Sequence, residues 1–226
     1  MRWMWWSNTQ MFDANVRVWA GVWEVGGQQN GVRRAYGPAF SELPTTPRPS
    51  TWSGLLTDAA PAPHDGPSLR DIATFSVDFR EQYYGLVGAV GDSADGPPLV
   101  TSGLIEPGRC LWGERPVRFA KQRYAAPRVA VDRLSPRLQR WAASRLVPKI
   151  LIANQTKVIE AVHDPRGTWL PSVPVITAVS DDCERVLRVL ASDAANEWVH
   201  HQAAGSGLGA GTVRLSPALL GGIPLR

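Results

Sequence analysis

"LVPKILIANQTKVIEAVHDPRGTWLPSVPVITAV" occupies residues 146–179, and it decides the fold that this sequence predicts. Its apolar runs are rich in β-branched residues, which is typical of strands, and polar segments separate them. Asp164-Pro165-Arg166-Gly167 combines residues that favour a tight turn. The stretch therefore predicts a small β-unit of strands. A basic segment precedes this unit, and no catalytic group is evident within it.

Helices are predicted on both sides of this unit. Ser135 followed by Pro136 is a helix start, and Pro148 ends that helix. After the unit, Asp181 and Glu184 resemble a capping box that opens a second helix. Before it, apolar residues at three- and four-residue spacing predict an amphipathic helix, namely Ile72, Phe75, Phe79, Tyr83, Leu86 and Val90. Residues 69–226 are therefore predicted to form one mixed α+β domain.

Residues 1–43 are predicted to hold a separate β-hairpin. Apolar residues alternate at Val16, Val18, Ala20 and Val22, and "VRRAYG" at 32–37 supplies a candidate returning strand. Residues 44–68 contain six prolines, a density that prevents a continuous helix or a central strand. The sequence therefore predicts a Pro-rich linker over 44–68, between the hairpin and the larger domain.

Composition excludes several classes of protein. The chain has 226 residues, of which 44% are hydrophobic and 19% are charged, as in an ordinary globular protein. No apolar run approaches the roughly 20 residues of a membrane span, and "MRWMWWSNTQ" does not resemble a signal peptide. Cys110 and Cys183 lie far apart in the sequence, so no disulfide framework is expected. These features predict a cytoplasmic protein with no membrane partner.

Basic residues are concentrated between Arg109 and Lys149. This stretch holds 11 lysines and arginines against two acidic residues, a net charge of +9 (11 − 2) within a chain of +4, so the remainder carries −5 (4 − 9). Such asymmetry predicts a polyanionic partner. The alternative is a solvated arginine-rich surface in a protein from a genome of high GC content, where arginine replaces lysine.

Motifs for catalysis and metal binding are weak. The glycines between Gly205 and Gly211 follow a predicted helix and precede the strand-like "TVRLS", whereas a cofactor loop opens a helix, so a connecting loop is expected. His200 and His201 with Cys183 are too few for a metal site. Gln155-Thr156-Lys157 resembles half of a restriction-nuclease site but lacks carboxylates for a cation. No catalytic or metal-binding residue is predicted, which favours a binding module over an enzyme.

Four stretches resemble a known family. They are "DFREQYYGLVGAV" (78–90), "LVTSGLIEPGRCLWGERPVRFAKQRYAAPRV" (99–129), "RLVPKILIANQTKVIEAVHDPRGTWLPSVPVI" (145–176) and "GSGLGAGTVRLSPALLGGIPL" (205–225). Together they resemble the C-terminal target-recognition part of N6-adenine-specific DNA methyltransferases of restriction–modification type, TaqI-like or type I-like. "WWSNTQMFDANVRVWAGVWEV" (5–25) resembles the last hairpin of the methyltransferase core. The resemblance implies that residues 69–226 bind double-stranded DNA and that residues 1–43 are a remnant of the core.

The catalytic motifs of that family are missing. Its enzymes carry a Phe-x-Gly cofactor loop for S-adenosylmethionine and an Asn-Pro-Pro-Tyr motif for the flipped adenine, and neither occurs in this sequence. The resemblance therefore implies no cofactor in this chain and no catalytic activity of the chain alone. Two alternatives remain: a subunit of a split methyltransferase that pairs with a separate catalytic subunit, and a truncated fragment without function.

The expected DNA contacts come from the basic stretch and the β-unit. Cations that suit phosphates are Arg115, Arg118, Lys121, Arg123, Arg128, Arg137, Arg140 and Arg145. Asn154 and Gln155 carry amides of the kind that recognise adenine edges, and Lys149 and Lys157 flank them. The alternative for residues 152–157 is an ordinary polar strand turn. The DNA-binding hypothesis requires these cations to gather on one side of the protein.

Overall fold

The computed structural model describes residues 1–7, 9, 11, 13, 18–27, 31–47, 53–56, 64–207 and 211–225. The chain forms two compact units, one of Met1–Asp65 with Glu197–Arg214 and one of Gly66–Asn196 with Leu215–Arg226. Both helices and strands are present, so the predicted α+β class is confirmed. The units differ from the predicted ranges 1–43, 44–68 and 69–226, because residues 197–214 group with the first unit.

The strands, in chain order, are β1 (Trp3–Trp6), β2 (Trp19–Val22), β3 (Gly31–Tyr36), β4 (Ser41–Pro47), β5 (Thr74–Val77), β6 (Val90–Gly91), β7 (Leu99–Val100), β8 (Ile105–Glu106), β9 (Arg109–Cys110), β10 (Val117–Phe119), β11 (Gln122–Tyr124), β12 (Arg128–Val129), β13 (Lys149–Ile152), β14 (Gln155–Thr156), β15 (Ala161–Asp164), β16 (Leu170–Pro171), β17 (Ile176–Val179) and β18 (Val213–Arg214). The α-helices are α1 (Ser53–Leu56), α2 (Arg80–Leu86), α3 (Pro136–Arg145), α4 (Cys183–Leu190), α5 (Asp193–Ala203) and α6 (Pro217–Gly221). Short 3₁₀ turns occur at Leu69–Asp71, Ser102–Leu104 and Val131–Arg133.

The first unit is built on a sheet of order β2-β1-β3-β4. The predicted pairing of β2 with β3 is wrong, because β1 lies between them, antiparallel to β2 and parallel to β3. Met4 and Trp5 of β1 are buried, which explains its central position. Val16 lies outside the described residues. Strand β4 overlaps the predicted Pro-rich linker only at residues 44–47, and it is an edge strand, where the N–H that proline lacks is not needed for pairing.

The second unit is built on an antiparallel sheet of order β15-β13-β17-β5. Three of its strands come from the stretch 146–179, and Asp164 and Gly167 close the predicted turn through a Gly167 N–H to Asp164 carbonyl bond of 3.2 Å. The β-unit and its tight turn are therefore confirmed. Smaller two-stranded pairs accompany this sheet: β6 with β12, β7 with β16, β8 with β9, and β10 with β11.

The amphipathic helix predicted from Ile72 to Val90 is shorter than expected. Strand β5 replaces its first half, and the helix α2 begins only at Arg80. The reason is tertiary pairing, since β5 adds to the edge of the sheet beside β17 and the Ser76 and Thr177 hydroxyls lie 2.8 Å apart. A long-range strand partner overrides a local helical period.

The other predicted helices hold with smaller changes. Ser135 caps α3, since its hydroxyl accepts a bond from the Leu138 N–H at 3.4 Å, as its Ser-Pro start predicts. Asp182 rather than Asp181 caps α4, because its carboxylate accepts from the Arg185 N–H at 2.9 Å. The single helix expected after residue 181 is two helices, α4 and α5.

Two hydrophobic clusters form the core of the second unit. One is lined by Leu86, Ala89, Leu99, Phe119, Val129, Leu134, Leu138, Ala142 and Leu170. The other is lined by Val100, Leu104, Ile105, Leu111, Val117, Leu151, Ala153, Val162 and Val175. The short strand β10 supplies one residue to each cluster. Across the described ranges, every helix is too short or too polar to traverse a lipid bilayer.

Candidate nucleic-acid interface

Carboxylates pair with five of the 11 cations between Arg109 and Lys149. The pairs are Arg109 with Glu114, Arg115 with Glu106, Arg137 with Glu81, Arg145 with Asp78, and Lys149 with Asp164. Four of these five acidic partners lie outside the basic stretch. The net charge of the stretch in sequence therefore overstates the positive field that it presents when folded.

Lys149, expected from the sequence to flank a DNA contact, is buried and does not present its charge at the surface. Its side chain is only 1% exposed, and its Nζ lies 2.7 Å from Oδ2 of Asp164, directly across from it on β15. The Asp164 carboxylate also accepts the N–H groups of Thr168 (3.1 Å) and Trp169 (2.9 Å). Burial lowers the pKa of the Lys149 ammonium, and the bond to Asp164 opposes that shift. The pair serves the fold, since it ties the turn after β15 to β13.

Arg145 and Arg128 are also used inside the protein. Arg145 holds Asp78 through both its Nε and Nη2, at 3.1 and 2.6 Å, and the Asp78 side chain is 8% exposed. Arg128 donates to the Gly96 carbonyl at 2.8 Å, and its guanidinium lies 4.8 Å from the centre of the Trp112 ring. Both arginines therefore hold neighbouring segments together, Arg145 through two guanidinium nitrogens and Arg128 through one.

Asn154, Gln155 and Lys157 lie just after β13. The two amide side chains are half-buried and Lys157 is exposed. The Asn154 carbonyl accepts the Leu215 N–H at 2.8 Å, which ties this segment to the chain before α6. Because the Asn154 and Gln155 side chains are half-buried, only part of each amide is accessible to a base edge.

Three exposed cations lie on the hairpin of β10 and β11, called here the basic hairpin (Val117–Tyr124). Its inward residues Val117 and Phe119 are 7% and 3% exposed and enter the two hydrophobic clusters. Arg118 and Arg123 alternate with them, are exposed, and stand directly opposite each other in the antiparallel register. Such opposed side chains have Cβ atoms about 4.5–5.5 Å apart. The hairpin thus has an anchored apolar face and an outward arginine face.

The two-residue turn of the basic hairpin has an unusual sequence. Ala120 and Lys121 have φ angles of 48° and 69°, and positive values at both central residues define the type I′ turn that suits a two-residue hairpin. Asn-Gly or Asp-Gly normally fill these positions, because other residues meet a steric cost there. The turn is held from outside, since the Tyr83 hydroxyl of α2 accepts the Ala120 N–H at 3.1 Å.

The base of the hairpin is held as well. Asp92 accepts the N–H groups of Ala125 (3.0 Å) and Ala126 (2.8 Å), which follow β11. The Tyr124 hydroxyl donates to Oε1 of Gln122 at 2.8 Å. Contacts at the tip, at the inward face and at the base therefore fix the ribbon before any ligand arrives.

Arg118, Lys121 and Arg123 form no ion pair with any residue that the structure describes. The hairpin itself contains no acidic residue, so it carries a formal charge of +3 over Val117–Tyr124. Two like charges directly across a strand pair repel each other, which costs stability in the free protein. An anionic ligand would remove that cost. Arg133 and Arg140 are exposed and also stand outside every ion pair of the described ranges.

Other reactive groups do not assemble near one another. Among the described residues, no three His, Cys, Asp or Glu side chains cluster as metal ligands would. Cys110 and Cys183 are free thiols, and burial raises the pKa of each. A scan against protein-family models and a search of curated proteins both find no match. The resemblance to adenine methyltransferases therefore stays a prediction.

Proposed function

We propose that this chain is a DNA-binding module and that the basic hairpin is its contact with double-stranded DNA. One observation carries the proposal: Arg118, Lys121 and Arg123 project from a pre-formed ribbon, and none of them pairs with an acidic residue in the part of the chain that the structure describes. Guanidinium and ammonium groups of this kind bind phosphate oxygens and release counterions from DNA. The conclusion rests on three cations of the basic stretch rather than on its full charge.

The dimensions of the hairpin suit the major groove. Neighbouring strands lie about 4.8 Å apart, and a two-stranded ribbon fits a groove that is about 12 Å wide. Anchored Val117 and Phe119 keep the arginine face turned outward, so no rearrangement is needed for docking. A rigid contact surface loses little conformational entropy on binding.

The salt dependence of binding tests this proposal. We expect affinity for a duplex of about 20 base pairs to fall with salt, because three cations brought against the duplex displace counterions. They contribute a log–log slope of at most about −2.7, or roughly 40-fold between 50 and 200 mM. The triple variant R118Q/K121Q/R123Q should lose that part of the slope and bind on the order of 100-fold more weakly near 0.1 M salt. Fluorescence anisotropy at several salt concentrations measures both quantities.

A matched control separates a specific surface from overall charge. The variant R109Q/R115Q/R137Q removes the same three charges from arginines that already have carboxylate partners. Its salt slope should stay within experimental error of the wild type. Equal losses in the two triple variants, or no binding of any duplex at 50 mM salt, contradict the proposal.

The resemblance to adenine methyltransferases extends the proposal. It supports a target-recognition module of a cytoplasmic restriction–modification system, with S-adenosylmethionine and the catalytic motif supplied by a separate catalytic subunit. The sequence carries no Asn-Pro-Pro-Tyr motif, so the chain alone should transfer no labelled methyl group to adenine. Transfer that appears only when a catalytic subunit is added supports a split enzyme.

A further inference from the structure

The two opposed arginines of the basic hairpin have a geometry that phosphate binding alone does not require. We infer that Arg118 and Arg123 recognise guanine in the major groove, whereas Lys121 contacts the phosphate backbone. This inference rests on the proposed DNA-binding function and assigns the chemical group that the same site recognises.

The argument begins with position on the ribbon. Arg118 and Arg123 share the outward face, opposite the buried Val117 and Phe119. When a ribbon lies in the major groove with its inward face packed on its own protein, the outward face meets the base edges. Lys121 lies at the turn, one residue beyond the paired strands, where the tip of the ribbon approaches the groove wall.

The chemistry of the side chains agrees with this division. Arginine carries five N–H donors in a planar fork, and guanine is the base that presents two acceptors, N7 and O6, to the major groove. Lysine is a compact point charge on a flexible stem, which suits a phosphate oxygen. The hairpin thus places forks on its face and a point charge at its tip.

The spacing also agrees. Directly opposed side chains have Cβ atoms about 4.5–5.5 Å apart, and successive bases along a strand rise by about 3.4 Å. The separation of the two Cβ atoms exceeds the rise between successive bases by a small amount, and long arginine side chains can bend to match it. The two arginines therefore reach two neighbouring base pairs. We therefore expect the recognised element to contain two adjacent G·C pairs.

Both arginines are free to make such contacts. Neither is an ion-pair partner of any described residue, and both are exposed. Arg109 and Arg115, by contrast, already direct their guanidinium groups at Glu114 and Glu106. A guanidinium group can discriminate between bases only when its N–H donors are not already paired within the protein.

The experiment uses duplexes of about 20 base pairs with the full chain. One contains repeated GG steps, a second replaces each guanine by 7-deazaguanine, which lacks the N7 acceptor, and a third contains only A·T pairs. We expect the first to bind more tightly than the other two by roughly 5- to 150-fold for each arginine that makes a bidentate contact. Competition anisotropy at fixed salt gives the ratios.

The charge-conserving variant R118K/R123K makes the test sharper. It keeps the charge of +3 on the hairpin, so the salt slope should not change, but it removes both forks. Lysine can also donate to guanine O6 and N7, but it lacks the rigid planar pair of donors, so we expect the preference for the guanine duplex to fall while affinity for the A·T duplex is retained. Circular dichroism verifies folding, and the 7-deazaguanine comparison in the wild type needs no variant.

Each result decides one of the two proposals. Equal affinity for all three duplexes with a steep salt slope overturns guanine recognition and leaves DNA binding intact. A preference of unchanged size in R118K/R123K also overturns the assignment to these two arginines. Absence of binding to every duplex at low salt overturns the DNA-binding function itself, and the further inference falls with it.

Discussion

Lys149 is a buried cation at the start of β13, where it stands opposite Asp164 of β15. In sequence it precedes an apolar strand within a basic stretch, so it was expected to flank a DNA contact. In the structure it is fully buried and paired with Asp164. The turn at Asp164 was evident from its Pro-Arg-Gly continuation, but the register that sets Lys149 opposite Asp164 was not. A strand register depends on which faces become buried, and a single sequence does not specify that.

Breaking this buried pair should be costly. We expect K149M to lower the free energy of unfolding by about 3–5 kcal/mol, because it leaves the Asp164 carboxylate buried without its cation. Urea denaturation followed by tryptophan fluorescence measures the change. R109Q, which breaks an exposed pair, serves as control and should cost at most about 1 kcal/mol. If K149M lowered the free energy of unfolding by no more than R109Q does, the buried pair would contribute little to stability.

At the scale of elements, capping and turn residues predict where helices begin and where the chain turns, whereas the pairing of distant strands is not evident from the sequence. Ser135-Pro136 fixed the start of α3, and Asp164-Pro165-Arg166-Gly167 fixed a turn, because both signals act within a few residues. Strand β5 carries a helical spacing of apolar residues but pairs with a strand about 100 residues away. The basic hairpin lacks Asn-Gly at its turn, so the sequence offered no hairpin signal there.

That unusual turn provides a test of the hairpin geometry. Replacing Ala120 by glycine should stabilise the protein by about 0.5–1 kcal/mol, since glycine accepts a positive φ without the steric cost that alanine meets. Differential scanning calorimetry should show a higher Tm. The matched variant A125G, at an exposed alanine without a positive φ, should lower Tm instead. A lower Tm in A120G would mean that Ala120 does not occupy this turn.

At the scale of the whole molecule, the distribution of charge is more balanced than the sequence indicates. Five of the 11 cations of the basic stretch pair with acidic residues, four of which lie outside the stretch. Which cations stay free depends on tertiary contacts such as Arg145 with Asp78, separated by 67 residues. The sequence therefore shows where cations are concentrated but not which of them pair with acidic residues in the fold.

The two units should also differ in their dependence on the N-terminal residues. A fragment beginning at residue 66 retains every residue of the second unit. It lacks residues 1–65, which belong to the same unit as residues 197–207. One lost contact is the Ser53 hydroxyl, which donates to the Gln202 carbonyl at 2.6 Å. Hydrogen–deuterium exchange should show amides of β13 and β17 protected as in the full chain, and amides of 197–207 exchanging faster. Lost protection in β13 would show that the second unit does not fold by itself.

The interleaving of the two units along the sequence has a consequence for synthesis on the ribosome. The sheet of residues 1–47 emerges early, yet residues 197–214 that complete its unit emerge only after most of the second unit has been translated. The second unit in turn waits for Leu215, Leu220 and Ile223, which are all buried. Nascent chains therefore expose apolar surface of both units until residues 197–226 have been translated, and chaperones that bind such surface can act in that interval.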